Sequence, residues 1–264
     1  MRNILLKISY DGTDFCGWQR QDNEKGGEAF RTVQGEIEKA LYKIHKSEIN
    51  LYGSGRTDSG VHALGQAANF YTPIDSMPPQ NFVRALNAFL PSDIRILNAK
   101  EVPEDFNARK SATSRVYRYF IAFNEANPAN NSRFTWQVKK YQPDLKHLNQ
   151  LSKCLRGELD CAAFAASGDE SVSTNRYIDD AHFFLQKDIW GNELLVFQIE
   201  ANAFLWKMVR TITGTLINLD KNGSSSEAMQ KILLSKDRTK AGVTAPPQGL
   251  FLYEIKFDGI RRHE

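Results

Sequence analysis

The chain has 264 residues, 41% of them hydrophobic and 11% aromatic, enough to bury a substantial core and to form two lobes of an ordinary globular protein. Its 34 basic and 31 acidic residues leave a net charge of +3, which on its own does not separate a nucleic-acid binder from many enzymes. Three cysteines, Cys16, Cys154 and Cys161, fit neither a disulfide framework nor a CxxC metal pair, and are expected to be buried free thiols in a reducing compartment.

The opening MRNILLKISYDG holds only Ile4, Leu5 and Leu6 as an apolar run before Lys7, too short for a signal peptide or a membrane span, so a cytoplasmic location is expected. A strand is predicted from Ile4 to Tyr10, then a helix from Thr32 to about His45. Thr32 is its candidate N-cap, and Val33, Ile37, Leu41 and Ile44 form its apolar stripe. Strands near 49–54 and 66–72 follow, then a helix from Pro79 to Leu90 closed by Pro91, and a strand from Ile94 to Val102. The order is β-α-β-β-α-β.

Between the two middle strands lies GSGRTDSGVHALGQ, residues 53–66. A lone carboxylate, Asp58, is presented there among Gly53, Gly55 and Gly60. These residues lack a Cβ and so permit positive φ and close approach of a ligand. Arg56 adds a cation to the same loop. The glycine spacing gives no GxGxxG, and no Gly-Lys-Ser/Thr follows, which sets a phosphate loop aside. From these residues alone two readings stand: a reactive acid on a loop, or an Asx turn in which Asp58 bonds its own backbone.

The second half repeats the order without residue-level repetition. Its strand Arg115–Phe123 is followed by helix Asp144–Leu155, strands Tyr177–Gln186 and Leu194–Glu200, helix Phe204–Leu219, and strand Gly249–Phe257. The fold class is therefore α+β: two β-α-β-β-α-β lobes with mainly antiparallel sheets around a central cleft, divided as 1–107 and 108–264. Polar loops span 21–30, 126–135 and 167–174. From Phe106 to Pro143 the only acid is Glu125, against seven Lys and Arg residues interleaved with aromatic rings, a composition suited to RNA. The alternative is a basic strand face whose aromatics are core. The helix 204–219 carries Phe204, Leu205, Met208, Val209, Ile212, Leu216 and Leu219 on one side, while Trp206, Arg210 and Ile217 share the other. It reads as buried on two sides, with Arg210 either meeting a counter-charge or phosphate, or reaching solvent or a capping carbonyl.

Six segments together resemble one family: YDGTDFCGWQRQ, TVQGEIEKAL, GSGRTDSGVHALGQ, KSATSRVYRYF, ANAFLWKMVRTITGTL and KDRTKAGVTAPPQGLFL. In order and spacing they resemble the TruA family of tRNA pseudouridine synthases, from about Leu5 to Phe257. GRTD alone would be weak evidence.

The resemblance implies the pseudouridine synthase fold and isomerisation of uridine at positions 38, 39 and 40 of the tRNA anticodon stem-loop. Uracil detaches at N1, rotates and rejoins ribose through C5, so no cofactor or metal is expected, and no metal-spaced His/Cys cluster is visible. The essential aspartate maps onto Asp58, acting either as a nucleophile or as a base toward the ribose. The arginine of the MVR segment, Arg210, is implied as its charge partner, Tyr117 as the tyrosine that packs against the target base, and Arg56 as the residue that fills the vacated stack. Arg20, Gln34, Gln66, Arg84 and Arg109 are further candidates for RNA contact. A homodimer binding tRNA is also implied. Two stretches depart from the family pattern: a longer segment 22–31, and the pair Trp206-Lys207 ahead of MVR. A catalytically silent RNA-binding module would share paired β-α-β-β-α-β units. However, the chain has no RNP-type run, and such a module has no need of Asp58 in a basic groove.

Overall fold

The computed structural model describes residues 1–21, 30–124, 127–260 and 262, and most of the segment 22–31 lies outside them. The chain divides into two compact units, Met1–Ala112 with Leu252–Asp258, and Thr113–Phe251 with Gly259–Glu264. A single boundary between 107 and 108 makes no provision for a C-terminal stretch that belongs to the first unit.

In the first unit β1 (Arg2–Tyr10) leads to α1 (Val33–His45), β2 (Tyr52–Gly53), β3 (His62–Thr72), α2 (Pro79–Phe89) and β4 (Ile94–Val102). Strand β1 is central and antiparallel to both β3 and β4, with Leu5 opposite Asn69 and Lys100, while β2 adds to β3. Period-two alternation places Ile4, Leu6 and Ile8 on one face of β1, where they are fully buried together with Ile37, Leu41, Phe82 and Leu86 of the two helices. Thr32 caps α1 as expected, its hydroxyl accepting from Gly35 N–H at 3.3 Å. At the far end of α2, Leu90 is extended (ψ 145°) because the ring of Pro91 excludes the helical conformation before it.

The second unit opens with β5 (Ser114–Ala122) and β6 (Trp136–Gln137), then α3 (Leu145–Ser152), β7 (Gly157–Asp160), β8 (Asn175–Lys187), β9 (Glu193–Ala201), α4 (Met208–Lys221) and α5 (Ala228–Ser235). The last strand, β10 (Leu250–Lys256), spans the division between the units. Strand β9 pairs antiparallel with β5 and β8, β7 extends β8, and β6 joins β5 in parallel. The sequence reading omits β6, β7 and α5: the strands have two and four residues and the helix eight, all too short for periodicity to stand out. Among the cysteines only Cys161 is buried. Cys154 is half-buried and Cys16 is exposed, which corrects the expectation of three buried thiols.

Helix α4 begins at Met208 rather than Phe204, because Lys207 takes a left-handed conformation (φ 58°) and Trp206 is tied elsewhere. From Thr211 to Ile217 every residue is buried, so the helix is enclosed on more than one side as its composition suggested. The covering stretch of chain is 242–245. Ala245 N–H donates to the Arg210 carbonyl at 3.1 Å, Gly242 N–H donates to Thr215 Oγ at 2.9 Å, and a Cβ on Gly214 would lie 1.9 Å from the Val243 carbonyl oxygen. No side chain fits at 214. Gly214→Ala is expected to lower the stability of the second unit by about 1–3 kcal/mol, read as an earlier urea midpoint in near-ultraviolet circular dichroism, and an unchanged midpoint would contradict this packing.

Candidate active site

The Asp58 loop connects β2 to β3 and is held by main-chain bonds on several sides. Ser54 N–H donates to Ala67 O at 2.8 Å, Trp18 N–H to Thr57 O at 3.1 Å, and Val61 N–H to Asp58 O at 3.2 Å. The last bond closes the turn with the backbone oxygen of Asp58. Gly60, at φ 76°, supplies the left-handed residue that the turn requires.

Side chains complete the loop's support. The Tyr10 and Thr57 hydroxyls meet at 2.8 Å in a buried position, and Ser59 Oγ donates to the Phe15 carbonyl at 3.1 Å. Gln66 is fully buried, its Nε2 donating to the Gly55 carbonyl at 2.8 Å and its Oε1 accepting from Ala67 N–H at 3.1 Å. Segment 11–18 comes closest to the loop at its two glycines: a Cβ on Gly12 would fall 2.0 Å from Val61 O, and one on Gly17 (φ 98°) would fall 2.7 Å from Thr57 O. Gly12 N–H also donates to Nδ1 of fully buried His62 at 3.0 Å. Gly53 makes room for the Trp18 indole, 2.5 Å from where its Cβ would stand, while Gly55 faces open space. The three loop glycines thus serve different purposes. One admits a ring, one bends the chain, and one leaves the approach to the loop uncovered.

Within this frame Asp58 is half-buried and Arg56 exposed. Of the other candidates in the first unit, Arg20 and Gln34 are joined to each other. Gln34 Oε1 accepts from Arg20 N–H at 3.0 Å, its Nε2 donates to Glu38 and to the Leu51 carbonyl, and the Arg20 guanidinium pairs with Glu38 at 3.0 Å. Arg84 is exposed on α2, and Arg109 is exposed with its N–H bonded to Asn107 Oδ1 at 3.1 Å. Tyr10, Trp18, Thr57 and His62 hold the loop but were not singled out by sequence reasoning. For Trp18 the signal is the Gly-Trp pair inside YDGTDFCGWQRQ, which tells of packing only once its partner loop is known.

In the second unit, Tyr117 and Tyr119 lie on one face of β5 and are both buried, as are Phe123 and Tyr141, so part of the aromatic run is core. The Tyr117 ring meets Phe204 edge-on at 5.1 Å. Tyr119 donates its hydroxyl to the Pro246 carbonyl at 2.6 Å. Burial raises its pKa strongly, with the Arg210 charge pulling the other way. Arg210 is half-buried, and its Nε donates to the Ala245 carbonyl at 2.8 Å. Among the described residues no group of three or more His, Cys, Asp or Glu could hold a metal ion, and no helix is long and apolar enough to cross a membrane.

The family model described as tRNA pseudouridine synthase matches residues 7–109 and 151–258. The chain belongs to the tRNA pseudouridine synthase family, whose members are isomerases acting on uridine in tRNA. It is 56% identical to tRNA pseudouridine synthase A of Treponema denticola over 97% of this chain and 93% of that protein. Identity to the protein of that name from Treponema pallidum (strain Nichols) is 47% over 92% of this chain and 84% of the relative, and to that from Brachyspira hyodysenteriae 43% over 97% and 99%. Asp58 and Arg210 fall inside the matched segments, whereas Tyr117 falls between them.

The Gln66 tie generates a test of this geometry. Gln66→Leu leaves the Gly55 carbonyl and the Ala67 N–H without their side-chain partner, a loss of roughly 1–3 kcal/mol. Turnover on tRNA is expected to fall by about tenfold while the far-ultraviolet spectrum stays native. Native turnover in a folded variant would show that the loop does not need this support.

Proposed function

We propose that the chain isomerises uridine to pseudouridine at positions 38, 39 and 40 of the tRNA anticodon stem-loop, with Asp58 as the catalytic carboxylate. The observation that carries the reading is a half-buried acid on a loop fixed by main-chain and side-chain bonds, beside an uncovered glycine, within a segment matched by the family model. A group so held loses little motion when substrate arrives.

The reaction breaks the N1–C1′ bond, turns the uracil and forms a C5–C1′ bond; the hydrogen at C5 leaves as a proton and the freed N1 takes one up. Asp58 serves either by attacking covalently or by taking a proton from the ribose while the glycosidic bond opens. A uridine inside a stem must first be flipped out at a cost of a few kcal/mol, offset by contacts in the pocket. In this reading Tyr117 packs against the flipped base, held by its edge-on contact with Phe204, and exposed Arg56 enters the vacated stack. Arg210 supplies positive charge that favours the ionised carboxylate, its Nε oriented by the Ala245 carbonyl. Exposed Arg20, Arg84 and Arg109 meet the backbone of the RNA, while Gln34 and Gln66 act through the main chain they hold. The working form is a cytoplasmic homodimer with two-fold symmetry.

The test is tritium release from tRNA labelled at uridine C5, with product mapping by position. Wild type is expected to release tritium and to modify positions 38–40, and Asp58→Asn to lose at least on the order of 10²-fold in rate. Binding of tRNA without release, or equal release by Asp58→Asn, would overturn the assignment.

A further inference from the structure

In sequence Trp206 lies between Phe204, which braces Tyr117, and Arg210. Its side chain is 44% exposed. Its main chain is held at both ends, N–H donating to the Asp169 carboxylate and C=O accepting from Ala166 N–H at 3.0 Å. Asp169 also accepts from Ser171 N–H at 2.9 Å. Burial pushes its pKa up, but the bonds from Ser171 and Trp206 and the charge of Arg176 outweigh that and hold it below the usual carboxylate range. The loop therefore keeps an ionised anchor under the Trp206 backbone. Lys207, in its left-handed conformation, turns its ammonium over the indole, 4.1 Å from the ring centroid.

A wide ring partly exposed to water, on a main chain held by two bonds and with a cation over one face, has the composition of a base-stacking platform. Every base has a π-face, and its phosphate follows close behind. We propose that Trp206 stacks on an unpaired nucleobase of the tRNA near the uridine being isomerised, and that Lys207 meets the phosphate of the same nucleotide. This inference rests on the reading of the chain as a synthase acting at a stem-loop. It assigns the Trp206-Lys207 pair to substrate recognition.

Two variants separate a platform from a prop. Trp206→Leu keeps apolar bulk and leaves the main-chain bonds to Asp169 and Ala166 intact, while Trp206→Phe keeps a flat π-face. With a labelled anticodon stem-loop, Trp206→Leu is expected to weaken binding and raise KM by about tenfold, the loss falling on KM more than on kcat, and Trp206→Phe to stay within about threefold of wild type. Lys207→Gln is expected to shallow the dependence of log affinity on log salt by about one phosphate contact. Wild-type binding by a folded Trp206→Leu, or equal loss of kcat in both Trp206 variants at unchanged KM, would overturn the platform. An unchanged salt slope in Lys207→Gln would overturn the phosphate contact, and this variant carries the test if Trp206→Leu does not fold. A wild type that binds the stem-loop but releases no tritium defeats the synthase reading instead, and the binding comparison still decides the platform.

Discussion

The geometry of the first unit turns on one close approach, the seating of segment 11–18 against the Asp58 loop. Trp18 N–H reaches the Thr57 carbonyl at 3.1 Å, and Gly12 and Gly17 bring backbone against backbone where any Cβ would collide. The same segment is anchored to α1, since Val33 N–H donates to Gly17 O and Gln34 N–H to Trp18 O. A helix packed on the sheet, the segment 11–18 and the carboxylate loop thus form one continuous stack. Asp58 inherits its position from the core rather than from its own short loop, which is how a loop residue attains the rigidity of a scaffold.

The second unit uses the same device on its helix. Gly214 lets the chain at 242–245 lie on α4, and the Ala245 carbonyl then receives Arg210 Nε. Nearby, Tyr119 bonds the Pro246 carbonyl, so the aromatic strand β5 and the arginine helix α4 are referenced to one stretch of irregular chain. Backbone groups of that stretch would be costly if buried without partners, and the helix threonine and arginine side chains supply part of what they need.

Much of this was legible from the sequence and some was not, for identifiable reasons. The N-cap of α1, the proline stop after α2 and the strand Ile94–Val102 follow local rules that need no tertiary partner, and the structure follows them. The start of α4 did not follow, because the tie between Trp206 and Asp169 is a long-range contact that no helical periodicity reports. Gln66 reads as a polar residue suited to RNA, yet it is buried, since its partner is a carbonyl eleven positions away whose need for a donor is set by the fold. The loop glycines were recognised as special, but that Gly53 admits an indole could not be known without Trp18 in place.

The most direct measurement is amide hydrogen exchange across the first unit under native conditions. If the loop is built on the core, the N–H groups of Trp18, Ser54 and Val61 should exchange as slowly as those of the β1–β3 ladder, opening only with the unit as a whole. Rapid exchange at these amides while the ladder stays protected would mean that the loop opens on its own, and that Asp58 is positioned by the substrate instead of by the protein.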